Sequence, residues 1–490
     1  MFGKYMGGFL KHRGFTVKRI ITHLFITTEG IIGNPLGVCS TFIFLFILFG
    51  AFLEKTGIGQ FFIDLANSLA GWASGGPAKV AVLSSALQGT VSGSSVSNTV
   101  STGSFTIPLM KSLGYEPEFA GAVEAAASTG GQIMPPVMGS AAFLISETVG
   151  VPYRQLMIHA LVPAALYFIG IWISVHLEAK RLGLKGTPRE QLPPLWPLVR
   201  DKGHLLIPLI VIIVLMLEGY SITRSALLGC LSCIIVPFLR KGTRVKFLQI
   251  FKALPQAGRS VISVATACST AGIIIGMVTL TGLGQRIGAG IFDLVGNSVF
   301  LALVCAMFTS LILGIGVSTK SNYLITSTIA APILVKAGIP TLAAHMFCFY
   351  FGIIADITPP VALAAYAGSA IAKGNAFKTG VNATKLAIAA FLIPYMFALN
   401  PKMIMIGGTF WEALPMIITA IIGLVGIGGG FIGYLNGKVI LPLRFVSFAG
   451  GLLLVIPGTL TDIIGISMIA LVVIVGAIQN RKKPEQLATA

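Results

Sequence analysis

Asn98 and Asn322 stand 224 residues apart, each inside a run of short polar side chains. The first run is Ser94-Ser95-Val96-Ser97-Asn98-Thr99 and the second is Ser318-Thr319-Lys320-Ser321-Asn322-Tyr323. Hydroxyl and amide oxygens, together with free backbone carbonyls, are the ligands a small hard cation takes, and backbone amides at a helix start take an anion. A second pair of segments lies in the same register, Gly130-Gly131-Gln132-Ile133-Met134-Pro135-Pro136 against Ile354-Ala355-Asp356-Ile357-Thr358-Pro359-Pro360. Paired prolines remove two backbone donors and break a helix, so the freed carbonyls need a ligand or a neighbour. The expected binding set is therefore Ser94, Ser95, Ser97, Asn98, Thr99, Gly130, Gly131, Gln132 and Pro135 from one copy, and Ser318, Thr319, Lys320, Ser321, Asn322, Asp356, Thr358 and Pro359 from the other. A sodium ion is expected at Ser95, Asn98 and Gly130. Two carboxylates break the repeat: Glu124 aligns with Cys348, and Asp356 with Gln132. Carboxylates at membrane depth are costly, which makes both candidates for carrying a coupling cation or proton. Ser and Gly also let helices pack closely, but packing requires neither Asn nor duplication.

The duplication reaches further. Thr56-Gly57-Ile58-Gly59-Gln60 recurs as Thr281-Gly282-Leu283-Gly284-Gln285, one residue out of the first register. A repeated, polar, Gly/Pro-interrupted segment in an apolar chain is the pattern of a secondary transporter, whose site lies where two repeats meet. The 490 residues are 55% hydrophobic and 10% charged with a mean hydropathy of +0.90, too little polar surface to clothe a soluble globule. Apolar windows of spanning length fall at 37–53, 155–177, 204–218, 222–239, 260–280, 297–314, 377–399, 410–433 and 448–478, some short or fused. The broken segments between them belong to the interior, because irregular backbone survives at membrane depth only inside protein or beside a cavity. The expected fold is an all-α polytopic membrane protein of inverted repeats, with two re-entrant helical hairpins, two broken helices, and a transport domain set against a scaffold. An N-terminal basic segment covers 1–36. The first repeat covers 37–177, with a hairpin near 80–113 and a broken helix near 116–148. A basic loop follows at 178–203, then scaffold spans and an amphipathic arm at 204–259. The second repeat covers 260–399, with a hairpin near 302–338 and a broken helix near 340–372, and further membrane helices with a basic tail occupy 400–490.

The net charge of +18 would suggest nucleic acid in a soluble protein, but here the cations cluster between spans. Lys180, Arg181, Lys185, Arg189, Arg200 and Lys202 fill one connection; Arg240, Lys241, Arg244, Lys246, Lys252 and Arg259 fill another. Both are expected on the cytoplasmic side, as is the tail with Arg481, Lys482 and Lys483, and nucleic acid is not a partner. Phe247, Leu248, Ile250, Phe251 and Leu254 interleave with the second cluster, which reads as an amphipathic helix on the anionic inner leaflet or as a solvated loop. Lys4, Lys11, Arg13, Lys18 and Arg19 spread over the first twenty residues without a cleavable apolar core, so no signal peptide is expected. Cys230-Leu231-Ser232-Cys233 has CxxC spacing but sits in a span with no second ligand pair, and reads as packing.

The run Gly121-Ala122-Val123-Glu124-Ala125-Ala126-Ala127-Ser128-Thr129-Gly130-Gly131-Gln132-Ile133-Met134-Pro135-Pro136-Val137-Met138-Gly139, with Phe349-Tyr350-Phe351-Gly352 leading into Ala355-Asp356-Ile357-Thr358-Pro359-Pro360-Val361-Ala362-Leu363-Ala364, closely resembles the large membrane subunit of TRAP transporters, most of all the TAXI subgroup. The likeness runs over nearly the whole chain. It implies an elevator that imports an organic acid across the bacterial inner membrane, driven by a sodium or proton gradient and needing no other cofactor. It also implies a soluble periplasmic solute receptor as partner, and a small four-helix membrane subunit. Many TAXI proteins carry that subunit fused in front; no such segment precedes Met1, so the expectation is that either a separate chain supplies it or the fused part is missing from this sequence. The Ser97-Asn98-Thr99 triplet is similar to the hairpin tip of divalent-anion/sodium symporters. Lys320 departs from the family, which has a small or hydroxyl residue there; it is suited to a substrate carboxylate, to standing in for a bound cation, or to snorkelling into water.

Two rival readings remain. A stand-alone dicarboxylate symporter would need neither receptor nor small subunit. An intramembrane serine protease would use Gly93-Ser94-Ser95-Val96, a GxSx pattern, with a histidine such as His345. A nucleophile is needed once, however, and this serine cluster occurs twice.

Overall fold

The computed structural model describes the chain except residues 1, 6, 9–10, 246, 284–285, 287–297, 316, 457 and 489–490; the side chains of 2, 241, 247–248 and 479–488 are also outside the description. Gly284 and Gln285 of the repeated motif, and Lys246, Arg481, Lys482 and Lys483 of the basic clusters, therefore lie wholly or in their side chains outside the described residues. The described residues form helices and no strands, and seven helices are long and apolar enough to cross a membrane.

Each polar run caps a helix. Ser94 is the N-cap of Ser95–Ser112, its hydroxyl accepting from the Ser97 amide at 3.3 Å, and Ser318 is the N-cap of Thr319–Ile329. Each of these helices follows an antiparallel arm, Gly76–Gly89 in the first hairpin and Val299–Leu313 in the second. Asn98 and Asn322 clasp the arms: their Nδ2 atoms donate to the Ser85 and Ser310 carbonyls at 3.3 and 3.2 Å.

The proline pairs interrupt helices as their chemistry requires. Pro117–Gly130 stops at a 3-10 turn and resumes as Ser140–Val149; Thr341–Ile354 stops and resumes as Leu363–Ala372. At matching positions Met138 (φ 57°) and Ala362 (φ 38°) adopt left-handed backbone, which non-glycine residues seldom do outside functional turns. Neighbours take the freed carbonyls: the Tyr153 hydroxyl lies 2.9 Å from both the Pro136 and Val137 oxygens, and Tyr366 donates to the Pro360 oxygen at 2.6 Å. The two broken helices cross where a Cβ on Gly121 would meet the Gly368 oxygen at 2.9 Å and one on Gly368 would meet the Gly121 oxygen at 2.6 Å. Glycine at both positions is what allows this approach.

Asn34–Lys55, Ile222–Leu239 and Phe247–Thr281 pack side by side, with the Cys230 thiol bonded to the Leu45 oxygen, and they meet the repeats where Phe247–Thr281 packs on Thr319–Ile329 and Phe46 on Phe143; the CxxC cysteines are buried packing groups. The expected surface arm is not a separate helix. From Phe247 it runs unbroken into the following span as one helix of 35 residues, about 52 Å at 1.5 Å per residue.

Tyr153–Leu182 and its repeat counterpart Ala376–Leu399 pack against the broken helices rather than against Asn34–Lys55, Ile222–Leu239 and Phe247–Thr281. Three C-terminal helices, Phe410–Ile432, Leu441–Leu453 and Thr459–Ala488, interlock through glycines, Gly423 against Gly451 and Gly450 against Gly465. They lean on Tyr153–Leu182, where Gly428 faces Ile173 and Leu177.

The basic connections lie together. Arg240 pairs with Asp201 at 3.1 Å, His204 bonds Thr243 at 2.8 Å, and Lys202 pairs with Asp64 of Ile58–Ala70 at 2.9 Å. The open end of the first hairpin joins the same edge, with Ser74 donating to the Leu184 oxygen at 2.9 Å and Thr187 to the Gly71 oxygen at 2.9 Å.

Candidate functional site

The two hairpin tips and the two helix breaks converge on one oxygen. Asp356 Oδ2 accepts from Ser95 of the first tip at 2.7 Å, from Gln132 of the first break at 2.8 Å, and from Thr319 of the second tip at 3.0 Å. Residues 261 and 224 positions away in sequence thus share a single acceptor. All four side chains are buried. A carboxylate in this position accepts only, so hydroxyl and amide donors suit its ionised form.

Beside this network lies a cavity of about 430 Å³, lined among others by Ser94, Ser95, Ser97, Gln132, Ser318, Thr319, Lys320 and Asp356. Its opposite wall is formed by the helices Asn34–Lys55 and Phe247–Thr281, through Glu54, Gln256, Ser260 and Ser263. Asp356, Lys320 and Glu54 are the charged residues of its lining. An anion entering it would meet the Lys320 ammonium, hydroxyls and the start of a helix, and also the Asp356 and Glu54 carboxylates.

Asn98, Thr99, Ser321, Asn322 and Thr358 stand behind the lining. The Thr99 and Thr358 hydroxyls donate to their own helices at 2.9 and 2.8 Å, and Ser321 meets Ser318 at 3.2 Å. In both copies the asparagine Oδ1 is buried without a partner among the described residues, as is the Thr129 hydroxyl. Gly130 packs against the Tyr167 ring and Gly131 against Gly89 and the Asn98 amide. Pro135 and Pro359 each precede a second proline through a cis bond. Among the described residues no three His, Cys, Asp or Glu side chains cluster as metal ligands.

Glu124 occupies a separate, fully buried cage. Ser85 donates to it at 2.6 Å and Ser128 at 3.1 Å, and Thr102 and Thr106 bond its two oxygens. No cation faces it. In the second copy Cys348 takes its place, and Ser310 and Thr326 correspond to Ser85 and Thr102.

The chain matches the sequence model of the tripartite ATP-independent periplasmic transporter DctM component over residues 5–411. It belongs to this family. Its relatives include the C4-dicarboxylate TRAP transporter large permease protein of Pseudomonas aeruginosa, 27% identical over 66% of this chain and 76% of that protein. They also include the 2,3-diketo-L-gulonate TRAP transporter large permease protein of Escherichia coli, 23% identical over 72% and 83%. A third is the sialic acid TRAP transporter permease protein of Haemophilus influenzae, 24% identical over 72% of this chain and 56% of the longer relative. TRAP permeases are transporters. In this chain Ser95 is bonded to Asp356, and the His345 ring lies 2.9 Å from the Tyr323 hydroxyl.

Sequence reasoning missed the Glu124 hydroxyls and the cavity wall of this TRAP permease. Ser128 lies one helical turn from Glu124 and could have been paired with it, and Thr102 and Thr106 share one face of their own helix, whereas Gln88, Ser260 and Ser263 carry no local signal.

Proposed function

We propose that this TRAP permease is of the TAXI type and imports a small organic acid across the bacterial inner membrane by an elevator motion. Both hairpins and both broken helices, with Tyr153–Leu182 and Ala376–Leu399, form the moving domain; Asn34–Lys55, Ile222–Leu239 and Phe247–Thr281 form the scaffold. The observation that carries this reading is the Asp356 network, which binds elements of both repeats into one unit beside a cavity whose far wall belongs to other helices. A periplasmic solute receptor delivers the substrate and a small four-helix membrane subunit completes the assembly.

Lys320 holds a carboxylate of the substrate and Asp356 fixes the tips around it. The substrate is a carboxylate in the manner of the dicarboxylate and sugar-acid relatives. Two features support ion coupling. The partnerless Oδ1 atoms of Asn98 and Asn322 are acceptors a sodium ion would use, and the Glu124 cage is a place a proton would use. The cavity extends to Glu54, four residues before the helix Ile58–Ala70 that Lys202 ties to the basic edge, which supports an inward-facing state.

The test is reconstitution in proteoliposomes with the cognate receptor and small subunit, with labelled-acid uptake measured under separately imposed sodium and proton gradients. Receptor-dependent uptake under one gradient is expected. Uptake indifferent to the receptor would turn the assignment toward a stand-alone symporter.

A further inference from the structure

The helices Phe410–Ile432, Leu441–Leu453 and Thr459–Ala488 take no part in the site, and the residues matched by the family end at 411. Their placement is nevertheless specific. The first of them runs alongside Tyr153–Leu182 and meets it at successive heights. The His159 ring donates from Nδ1 to the Ile404 oxygen at 2.6 Å, just ahead of that helix. A Cβ on Gly170 would lie 2.4 Å from the Ala389 Cβ and 3.6 Å from Leu424, so Tyr153–Leu182, Ala376–Leu399 and the first C-terminal helix share one joint. A turn further on, a Cβ on Gly428 would lie 3.4 Å from Ile173 and 3.5 Å from Leu177. Leu177 is itself buried in an apolar cluster with Leu435, Val439, Leu454, Ile469 and Val472. The second C-terminal helix is tied to the first, with Ser447 donating to the Gly426 oxygen at 2.6 Å and Arg444 to the Gly430 oxygen at 2.7 Å. Among the described residues none of the three packs on Asn34–Lys55, Ile222–Leu239 or Phe247–Thr281.

We infer that the three C-terminal helices are a wing of the moving domain, carried as one body with Tyr153–Leu182 past the scaffold. The inference rests on the elevator reading above and adds a part to it. Backbones that approach through glycine interlock closely, and such packed interfaces do not deform continuously. A wing that stayed still would have to unmake the Gly170 and Gly428 contacts in every cycle, with no seat on the scaffold to hold it instead. Its charges suit travel across the bilayer. Lys438 and Arg444 lie at the end near Leu177, the end at which Tyr153–Leu182 carries Lys180 and Arg181. Between Arg444 and Arg481 the sequence holds a single charged residue, Asp462. Leu441–Leu453 has 13 residues, about 20 Å, and falls short of a hydrocarbon core of about 30 Å. The turn joining the second and third helices therefore has no cation to pin it at the opposite headgroups. This hairpin can follow a displacement without drawing a fixed cation through lipid.

Two measurements test the wing, both on the full chain assembled with its small subunit and receptor. In a Cys305→Ser background, where the other five native thiols are buried, Ile173→Cys and Gly428→Cys are joined by a short bifunctional methanethiosulfonate. The joined protein is expected to keep the uptake of the unjoined one. A loss of uptake that reduction restores would overturn the inference, because the bundle would then have to slip on its carrier. Spin labels are also placed two at a time at the exposed positions Leu239→Cys in the scaffold, Lys378→Cys in the moving domain and Lys438→Cys in the wing. Their separations are measured in nanodiscs, in sodium chloride and in choline chloride, with and without the receptor. The Leu239–Lys438 separation is expected to change whenever the Leu239–Lys378 separation does, while Lys378–Lys438 keeps one value. A fixed Leu239–Lys438 separation beside a changing Leu239–Lys378 one would overturn the wing and leave the elevator standing. One unchanging separation in both pairs would remove the elevator reading, and the wing with it.

Discussion

Asp356 separates the ionic from the structural contribution at the repeat junction. Asp356→Asn keeps an oxygen where Oδ2 stands, so Ser95, Gln132 and Thr319 can all still donate, at 2.7, 2.8 and 3.0 Å. Bonds to a charged acceptor are worth about 1 kcal/mol more than bonds to a neutral one, and three of them would cost about 3 kcal/mol. Removing a buried charge returns much of that, so the folded stability of the variant should change little. Asp356→Ala is different. It strands three buried donors at about 1–3 kcal/mol each, although the two hydroxyls can turn toward cavity water and only the Gln132 amide is held. A loss of about 2–4 kcal/mol follows for the alanine variant. Unfolding of the detergent-solubilised protein should therefore rank wild type and Asp356→Asn together and Asp356→Ala well below, while uptake in proteoliposomes fails in both. Near-normal uptake by Asp356→Asn would show that the charge has no role, and equal melting of the two variants would show that the network does not join the repeats.

Asn98→Ala and Asn322→Ala should each abolish most uptake while expression and melting stay near wild type, since each removes one weak clasp but the Oδ1 acceptor of the site; wild-type transport by either refutes that role. Glu124→Gln keeps the hydroxyl cage occupied and should remove the pH dependence of uptake while sparing substrate exchange without a net gradient; an unchanged pH profile assigns Glu124 to structure. Gly368→Val should cut stability by about 1–3 kcal/mol or more, because its Cβ meets the Gly121 oxygen at 2.6 Å and the broken helices must spread; unchanged melting would contradict the crossing. Cysteine pairs joining Thr319–Ile329 to Phe247–Thr281 at different heights should trap separate states and stop uptake reversibly, and transport that survives such crosslinks rules out an elevator.

The sequence alone determined what repeats and what breaks. The register linking Asn98 to Asn322 and Gln132 to Asp356 was legible because duplication preserves spacing, and the proline pairs announced the helix ends because a missing donor acts locally. Membrane class followed from composition, and the shared edge of the basic loops from charge placement. Tertiary structure decided the rest, because contacts between distant segments leave no local trace. Only folding shows that Gln132 and Asp356, repeat counterparts of each other, meet in one hydrogen bond. Only folding shows that Glu124 is walled by hydroxyls away from the tips, and that Tyr153–Leu182 sides with the broken helices. The cavity's far wall is the clearest case. Gln88 and Ser263 are ordinary polar residues in sequence, and only folding brings the helices that carry them, far apart in the chain, to line the same cavity.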